Sequence, residues 1–352
     1  MVEQPITTLS LTNLGPFESV EMTFSPQVNV IVGTNNTGKS LLLRTLYAMT
    51  SVASEKSNPV RFPPDEDMDG LLWPTAVRDK LCGVFNVDTL RSLTTHGRQQ
   101  THLTITLGDD SDLHLRFPGD DPPGGTHSIK VGLAFHRPRA FPVFLPAHEI
   151  LSVAPGLRSL YATYEVPFDE TWNDLAELLY RPRLKGRSGT SVEDAVTEVM
   201  GGRFEVDGDR FVLRRSGSDE DRLEAPLVSE GHRKLGMLQV LLSNGVLRDQ
   251  GYLFWDEPEA NLNPATIRAL APLVARLAAH GVQVFLATHS LFLLRELQML
   301  DEDGAADIRY TGLDREESGA VVAAQADDLD DLPVLTALDA ELEQSSRYLY
   351  YR

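Results

Sequence analysis

The sequence predicts an α/β fold with a mostly parallel core sheet, an antiparallel β subdomain and a helical insert. Continuous apolar runs at 28–32, 252–255 and 282–287 are typical of parallel strands, which are buried on both faces. Apolar residues alternate along 6–24, as they do in strands with one buried face. Residues 155–201 carry apolar side chains at helical spacing. Together these patterns predict a layered molecule.

The antiparallel subdomain begins with two strands inside 6–24, separated by a turn at 13–17. Two more strand-like runs, 103–107 and 113–117, flank a Gly-Asp-Asp turn and predict a hairpin. The run 129–135 predicts a further strand. We expect all of these strands to extend one antiparallel sheet.

A phosphate-binding loop is predicted where the run 28–32 ends and a strong helix former begins at Lys39. The intervening segment consists of Gly33, Thr34, Asn35, Asn36, Thr37, Gly38, Lys39 and Ser40. Its glycines allow successive N–H groups to point at one place, where the helix dipole favours phosphate. Lys39 can reach the β- and γ-phosphates of a nucleotide, and the Ser40 hydroxyl can ligate Mg²⁺.

The helical section contains a basic break formed by Arg181, Arg183, Lys185 and Arg187. Such a cluster either contacts nucleic acid or lies in a solvated loop, and the sequence leaves both interpretations open. The run 203–213 that follows the helices predicts a hairpin around Asp-Gly.

Ser229 is predicted to cap a helix, because an apolar helical pattern begins just after it. The hydroxyl and the first N–H groups of that helix would then face outward at its positive end, where they could hold a γ-phosphate.

Two carboxylates and a histidine follow the later buried runs. Asp256 and Glu257 come directly after 252–255 and suit Mg²⁺ coordination and the orientation or deprotonation of water. His289 follows 282–287 and can donate a hydrogen bond to a γ-phosphate or steady Glu257.

With these motifs in this order, the sequence resembles the ABC-type ATPases of the RecF, SMC and overcoming-lysogenization-defect (OLD) group, and it is most similar to the short ATPases of the OLD branch. The resemblance implies that the fold is an ABC-type P-loop ATPase head. The implied motifs are Walker A at Gly33–Ser40, the signature at Ser229–His232, Walker B with the catalytic glutamate at Asp256 and Glu257, the D-loop at Glu259–Asn263, and the switch histidine at His289.

The resemblance implies ATP and Mg²⁺ as the bound groups. The implied nucleotide ligands are Gly33, Asn35, Asn36, Thr37, Gly38, Lys39, Ser40, Ser229 and Gly231. Ser40 and Asp256 would hold the metal, and Glu257 and His289 would act in hydrolysis. Because the P-loop of the same chain is remote from Ser229 in this fold, the phosphate at Ser229 would belong to a second subunit. The resemblance therefore implies a head-to-tail dimer that forms on ATP.

The implied role is to drive or gate a partner effector, a nuclease or a toxin, in DNA maintenance or antiphage defence. A RecF-like DNA-binding repair ATPase and a slow, nucleotide-dependent scaffold that holds a partner inactive remain alternatives. No nuclease domain is expected after residue 300, so we expect any nuclease to be a separate chain.

The sequence departs from the resembled pattern at several positions. Asn36 stands where many relatives have glycine, a change that asparagine can accommodate because it tolerates left-handed backbone. Glu230 and His232 replace residues of the more common Gly-Gly-Gln ending, and Asn263 stands where the OLD branch often has histidine. The glutamine usual after the strand at 141–145 is missing. His148 or Glu149 either replaces it or forms a structural pair.

Composition and length are consistent with one ATPase domain spanning 1–352. We expect a P-loop and antiparallel β lobe at 1–150, a helical insert and hairpin at 151–227, a signature lobe at 228–300 and an acidic extension at 301–352.

The formal net charge of −19 argues against a generally adhesive nucleic-acid coat, though not against a local basic groove. The single cysteine, Cys82, excludes an intramolecular disulfide and fits the cytoplasm. No uncharged run approaches the ~20 residues that cross a bilayer. We therefore expect a cytoplasmic protein that does not enter the membrane.

Overall fold

The computed structural model describes residues 2–54, 72–119, 129–134, 140–164, 166–185, 191–215, 221–248, 250–333, 346–348 and 350. Its strands are β1 Ile6–Leu14, β2 Phe17–Thr23, β3 Val28–Gly33, β4 Gln100–Leu107, β5 Asp112–Pro118, β6 Lys130–Ala134, β7 Phe141–Leu145, β8 Gly202–Asp207, β9 Arg210–Arg215, β10 Arg222–Glu224, β11 Gly251–Asp256, β12 Val282–Thr288, β13 Ile308–Arg315 and β14 Val321–Ala326. Its helices are α1 Lys39–Ala53, α2 Leu72–Phe85, α3 Ala154–Thr163, α4 Glu170–Leu179, α5 Ser191–Met200, α6 Glu230–Ser243, α7 Pro264–Ala279 and α8 Leu291–Glu302. Short 3-10 helices lie at Leu90–Leu93, Ala225–Leu227 and Leu329–Asp331.

The core sheet has six strands in the order β14-β13-β3-β12-β11-β7. Only β14 runs antiparallel to its neighbour, so the predicted mostly parallel sheet is confirmed. In the register, Val32 of β3 pairs with Thr288 of β12, and Ala287 of β12 pairs with Asp256 of β11. The carboxyl ends of these three adjacent strands therefore meet at one edge of the sheet.

The antiparallel subdomain is a five-stranded sheet in the order β2-β1-β4-β5-β6. Alternate residues of β1, such as Leu9 and Leu11, are buried, which is why the sequence alternates there. The helical insert comprises α3, α4 and α5, followed by the three-stranded sheet β10-β9-β8. The predicted hairpin at 203–213 is β8 and β9, and Gly208 in its turn has a φ of 66°.

Two hydrophobic cores lie on opposite faces of the parallel sheet. Along β3, Ile31 packs into the core shared by α1 and the antiparallel subdomain, whereas Val30 and Val32 pack into the core shared by α6 and the helical insert. The strand β11 alternates in the same way, with Phe254 on the first side and Trp255 on the second. The helices α1 and α6 therefore lie on opposite faces of the sheet.

Several segments differ from the sequence pattern or fall outside it. The proline-rich segment near residue 60, which suggests a surface excursion over 51–75, lies largely outside the described residues. Its ends are helical, because α1 continues to Ala53 and α2 begins at Leu72. Beyond residue 333 of the acidic extension, only 346–348 and 350 are described. Among the described helices, none has both the length and the hydrophobicity that crossing a bilayer requires.

Candidate functional site

The P-loop segment, Gly33–Ser40, leaves the carboxyl end of β3 and enters α1 at its N-terminus. Gly38 is the N-cap of α1 and has a φ of 93°. A Cβ there would lie 2.7 Å from Phe17 Cζ, so only glycine suits this position. Asn36 has a φ of 67°, the left-handed conformation expected for an asparagine in place of glycine. Asn35 and Asn36 are exposed at the tip of the segment, whereas Thr37 is buried at its base.

Lys39 folds back over the P-loop segment. Its ammonium donates to the carbonyl oxygens of Gly33 and Thr34, at 2.8 and 2.9 Å. Burial lowers its pKa, while the nearby carboxylates of Glu257 and Asp256 act in the opposite direction. The ammonium is therefore positioned at the mouth of the loop, among acceptors that phosphate oxygens could replace.

Arg315, which the sequence does not single out for this site, braces the P-loop from the C-terminal hairpin. Its guanidinium donates to the carbonyl oxygens of Asn36 and Gly319, at 2.5 and 2.6 Å. Gly33 packs against the same hairpin, because a Cβ there would lie 2.6 Å from the carbonyl oxygen of Leu313. The strands β13 and β14 thus fix one side of the loop.

Ser40 and Asp256 form a pair suited to a magnesium ion. Burial raises the pKa of the Asp256 carboxyl, and the nearby Ser40 hydroxyl acts in the opposite direction. Asp256 Oδ1 is buried and has no hydrogen-bond partner among the described residues. A hydroxyl and an unsatisfied carboxylate oxygen are ligands that Mg²⁺ accepts, with phosphate and water oxygens completing its shell. The residues present therefore fit the metal.

Glu257, Glu259 and His289 lie together at the ends of β11 and β12. His289 Nδ1 lies 3.5 Å from Glu257 Oε1 and 3.9 Å from Glu259 Oε1. Glu259 is buried and accepts a hydrogen bond of 2.6 Å from Thr288 Oγ1. Glu257 has a φ of 45°. The predicted neighbourhood of Glu257 and His289 is thus present in the structure, with Glu259 and Thr288 as supports that the sequence analysis did not identify.

The signature segment, Ser229–His232, lies at the N-terminus of α6. Ser229 occupies the N-cap position and is exposed. The structure describes the whole first turn of α6, and the Ser229 hydroxyl accepts a hydrogen bond from none of its N–H groups. The predicted cap is wrong in this respect, because the hydroxyl instead lies 2.6 Å from His232 Nδ1. Gly231 is buried against the D-loop, where a Cβ would lie 2.9 Å from the carbonyl oxygen of Asn261.

Glu149 and His148 both contact the signature helix. Glu149 is buried, and its carboxylate lies 2.7 Å from Arg233 Nε. His148 is largely exposed and lies 3.5 Å from Glu230 Oε1. Of the two interpretations left open by the sequence, this geometry favours a structural pair at Glu149.

Arg181 and Arg183 of the basic break line a cavity of about 390 Å³ between the helical insert, β8 and the end of α6. Arg181 stacks on the Phe141 ring at 4.6 Å, while Arg183 and Arg203 approach the same buried carboxylate of Glu193 at 3.4 and 3.7 Å. Lys185 is exposed, and Arg187 lies outside the described residues. Three arginines, Arg181, Arg183 and Arg203, and one carboxylate, Glu205, line this cavity.

Two family models match the chain. The model described as "AAA ATPase domain" matches residues 5–115, which include the P-loop segment. The model described as "AAA domain, putative AbiEii toxin, Type IV TA system" matches residues 137–295, which include Ser229, Asp256 and His289. A comparison with curated proteins gives no match.

Solved structures of SMC heads share the fold. A Pyrococcus yayanosii SMC head with a coiled coil and joint is 10% identical, with a TM-score of 0.55, and the match covers 97% of this chain and 100% of the head. A Pyrococcus furiosus SMC head bound to the C-terminal domain of ScpA is 12% identical, with a TM-score of 0.53 and coverages of 98% and 100%. An SMC head bound to the C-terminal winged-helix domain of ScpA is 12% identical, with a TM-score of 0.55 and coverages of 93% and 98%.

The ATPase matches lie over both motif-bearing halves of the chain, and the fold is that of the SMC heads. The nearness to the OLD branch stays a prediction. These matches and this fold together show an ATPase with the ABC-type P-loop fold of the SMC heads.

Proposed function

We propose that one ATPase domain, built on the single core sheet, binds ATP with Mg²⁺ at the P-loop segment. The N–H groups of the loop and the Lys39 ammonium hold the phosphates, and Ser40 and Asp256 hold the metal. When bound, Mg²⁺ neutralises charge on the β- and γ-phosphates. The support is the convergence of β3 and β11 at one edge of the sheet, with a buried carboxylate oxygen of Asp256 unsatisfied beside Ser40.

Glu257 is the proposed catalytic residue, which orients or deprotonates the attacking water. The Nδ1 atom of His289, 3.5 Å away, steadies the Glu257 carboxylate and can donate to the γ-phosphate. Glu259 holds this end of β12 through Thr288 Oγ1 and the His289 N–H, at 2.6 and 3.4 Å.

The proposed active unit is a head-to-tail dimer. The observation that carries this proposal is the placement of α1 and α6 on opposite faces of the core sheet. Ser229, exposed at the start of α6, therefore begins a helix on the other face of the sheet from the P-loop helix of its own subunit. Leu227, two residues before Ser229, exposes 74% of its surface, as an apolar residue at an interface would in the free subunit.

Light scattering with ATP tests the dimer. The Glu257→Gln variant should double its mass on adding ATP and Mg²⁺, because it binds the nucleotide without consuming it. The same variant carrying Ser229→Arg should stay monomeric. ATP-stabilised dimers that persist undiminished with Ser229→Arg would overturn the composite site.

The dimer cycle is proposed to gate a partner effector, a toxin or a nuclease. The family model over 137–295 carries a toxin–antitoxin description, and two of the similar SMC heads are bound to a domain of ScpA. Co-expression with the product of a neighbouring gene tests the idea: the effector should co-purify with the ATP-trapped Glu257→Gln variant and be released from Lys39→Ala. Equal co-purification of the partner with both variants would contradict gating. A partner that co-purifies with a parental protein whose ATP hydrolysis is negligible would favour the scaffold.

A second candidate function is nucleic-acid binding at the cavity beside Arg181 and Arg183. Its support is the local positive charge there, in a chain with a net charge of −19. A labelled oligonucleotide should bind with an affinity that falls steeply with salt. Arg181→Glu with Arg183→Glu should abolish this binding, whereas Arg268→Glu, on α7, should not. Equal binding by both variants would exclude the cavity.

A further inference from the structure

Lys234 is buried on the first turns of α6, where it exposes 1% of its surface. Lysine is almost never buried to this extent unless its charge has partners. Its ammonium donates to the main-chain carbonyl oxygens of Glu257 and Ala260, the second at 3.3 Å. A buried cation therefore ties the signature helix to the segment that follows β11.

The segment that Lys234 holds has an unusual backbone. Glu257 has a φ of 45°, a left-handed backbone conformation that is unfavourable for glutamate, and Asn261 has a φ of 63°, which asparagine tolerates. Such conformations persist where surrounding contacts over-determine them. The hydrogen bond from Lys234 acts on the carbonyl of Glu257 itself, so it fixes the backbone from which the proposed catalytic carboxylate projects.

Gly231 provides a second contact between the same helix face and the same segment. A Cβ at Gly231 would lie 2.8 Å from Leu262 Cδ2 and 2.9 Å from the carbonyl oxygen of Asn261. Residues three apart on a helix face the same side, so Gly231 and Lys234 press together on one surface. The exposed Ser229 lies at the free end of this helix.

A side chain retained only for packing would more simply be apolar. Burial lowers the pKa of Lys234 to about 8, although the nearby carboxylates of Glu259 and Glu257 act in the opposite direction. An apolar residue of similar length would avoid the cost of desolvating the ammonium. The charged donor is therefore better explained by what it positions than by stability.

We propose that Lys234 is a positioning residue that couples the signature end of α6 to the Glu257 carboxylate of the same subunit. This inference rests on the composite dimeric site proposed above. In that dimer, Ser229 of one subunit meets the nucleotide of the other, whereas Glu257 acts on the nucleotide of its own subunit. The contacts of Lys234 and Gly231 then make hydrolysis in each subunit depend on whether the neighbouring site is filled.

The Lys234→Met variant tests this coupling. Isolated subunits should bind ATP with parental affinity, and the dimer should still form on ATP. The kcat should fall by roughly 10- to 100-fold, as expected when a catalytic group is misplaced. The Hill coefficient for ATP should fall from above 1 to 1, which loss of packing alone would not cause.

Lys80→Met is the matched control. Lys80 is also buried, but its ammonium pairs with Glu170 and Asp174 and not with the segment after β11. Removing it takes the shared cation away from two carboxylates in the interior, so the denaturant midpoint should drop. The folded fraction should keep the parental kcat and Hill coefficient. If Lys80→Met loses cooperativity as Lys234→Met does, the effect is general and the coupling through Lys234 is refuted.

A heterodimer locates the coupling. When Lys234→Met is paired with Glu257→Gln, only the subunit that lacks Lys234 retains a catalytic carboxylate. Coupling within one subunit predicts that this heterodimer hydrolyses ATP as slowly, per catalytic carboxylate, as the Lys234→Met homodimer. Activity equal to that of a parental subunit paired with Glu257→Gln would overturn the inference.

These experiments distinguish a failure of the composite dimeric site from a failure of the coupling through Lys234. A parental protein that neither dimerises on ATP nor shows a Hill coefficient above 1 refutes the composite site and this inference with it. A cooperative parental dimer whose Lys234→Met variant keeps the parental kcat and Hill coefficient refutes only the inference. If Lys234→Met does not fold, Lys234→Gln, which keeps a shorter N–H donor, should show the same loss of cooperativity with a smaller loss of kcat.

Discussion

Arg233 Nε of the signature helix lies 2.7 Å from Glu149 Oε1, and the Glu149 side chain exposes only 4% of its surface. The same carboxylate accepts the Ser152 N–H at 3.2 Å and the Ser152 hydroxyl. The contact with Arg233 therefore holds Glu149, in the segment that follows β7, against α6. Breaking a buried ion pair is costly because one charge is left without compensation.

We expect Glu149→Ala to lower the free energy of unfolding by about 3 kcal/mol, since it strands the Arg233 guanidinium. Urea denaturation measures the change. His148→Ala is the matched control, because His148 is exposed and should change the free energy by at most about 0.5 kcal/mol. A loss at Glu149 no larger than that at His148 would show that the pair carries no stability.

Lys39→Ala should weaken ATP binding at least about tenfold, because a charge-assisted hydrogen bond contributes roughly 1.5–3 kcal/mol. Hydrolysis should be lost with it. Equilibrium binding of labelled ATP measures the effect, with Lys130→Ala, on the antiparallel subdomain, as the control. Unchanged affinity in Lys39→Ala would refute the assignment of the P-loop.

Glu257→Gln should bind ATP and Mg²⁺ with parental affinity and hydrolyse ATP more slowly by about 10²-fold or more, because the amide cannot take a proton from water. Phosphate release under saturating ATP measures the rate, and Glu316→Gln on the exposed β13–β14 turn is the control. Hydrolysis at the parental rate would mean that another residue is catalytic.

Mixing Ser229→Arg with Lys39→Ala should restore hydrolysis only at the slow, uncoupled rate, because the site beside the intact one stays empty. In such a heterodimer, one composite site combines an intact P-loop with an intact signature, and the other carries both lesions. Steady-state hydrolysis across a titration of the two variants measures the recovery. Activity that never exceeds that of either variant alone would mean that the sites are not shared between subunits, or that both must be intact for either to fire. The dimer assay with Ser229→Arg separates these two readings.

Asp256→Asn should stabilise the nucleotide-free protein while weakening Mg²⁺-dependent ATP binding. Burial raises the pKa of Asp256, so the folded state binds the proton more tightly than the unfolded state. The contribution of this group to stability is therefore lost as the pH rises through the folded-state pKa, and the charged form is unfavourable at neutral pH. Asparagine removes that cost, and we expect a gain of about 1 kcal/mol in urea denaturation at pH 7. Asp303→Asn, at the exposed end of α8, is the control, and a loss of stability at Asp256 would contradict the sign.

The sequence predicts best where a pattern is local. The run ending at Gly33 and the helix from Lys39 are both present, because a buried strand followed by glycine and a helix former leaves few alternatives. The helix α2 is not predicted, since Pro74 lies in its first turn and a proline-rich stretch precedes it. Ser229 occupies the predicted N-cap position of α6, but its hydroxyl contacts His232 Nδ1 and caps no N–H of the helix.

The sequence does not predict contacts between residues that lie far apart along the chain. Lys234 follows other charged residues and gives no sign that it is buried, since its acceptors are main-chain carbonyls more than twenty residues later. Arg315 lies in an acidic stretch, where its natural interpretation is a solvated charge. Of these residues, only Gly231 gives a signal in the sequence, because a glycine in the first turn of a helix suggests that another backbone approaches closely there.

The two strands that flank β3 lie far from it along the chain, since Val28 pairs with Val284 on one side and Ile308 on the other. During synthesis from the N-terminus, the P-loop strand is therefore made about 250 residues before either neighbour. Pairings of such long range are slow, because a large loop must close before any contact rewards it. ATP binding is consequently a property that the nascent polypeptide gains only after β12 and β13 have been synthesised, and until then β3 presents two unpaired apolar edges that are open to chaperones or to aggregation.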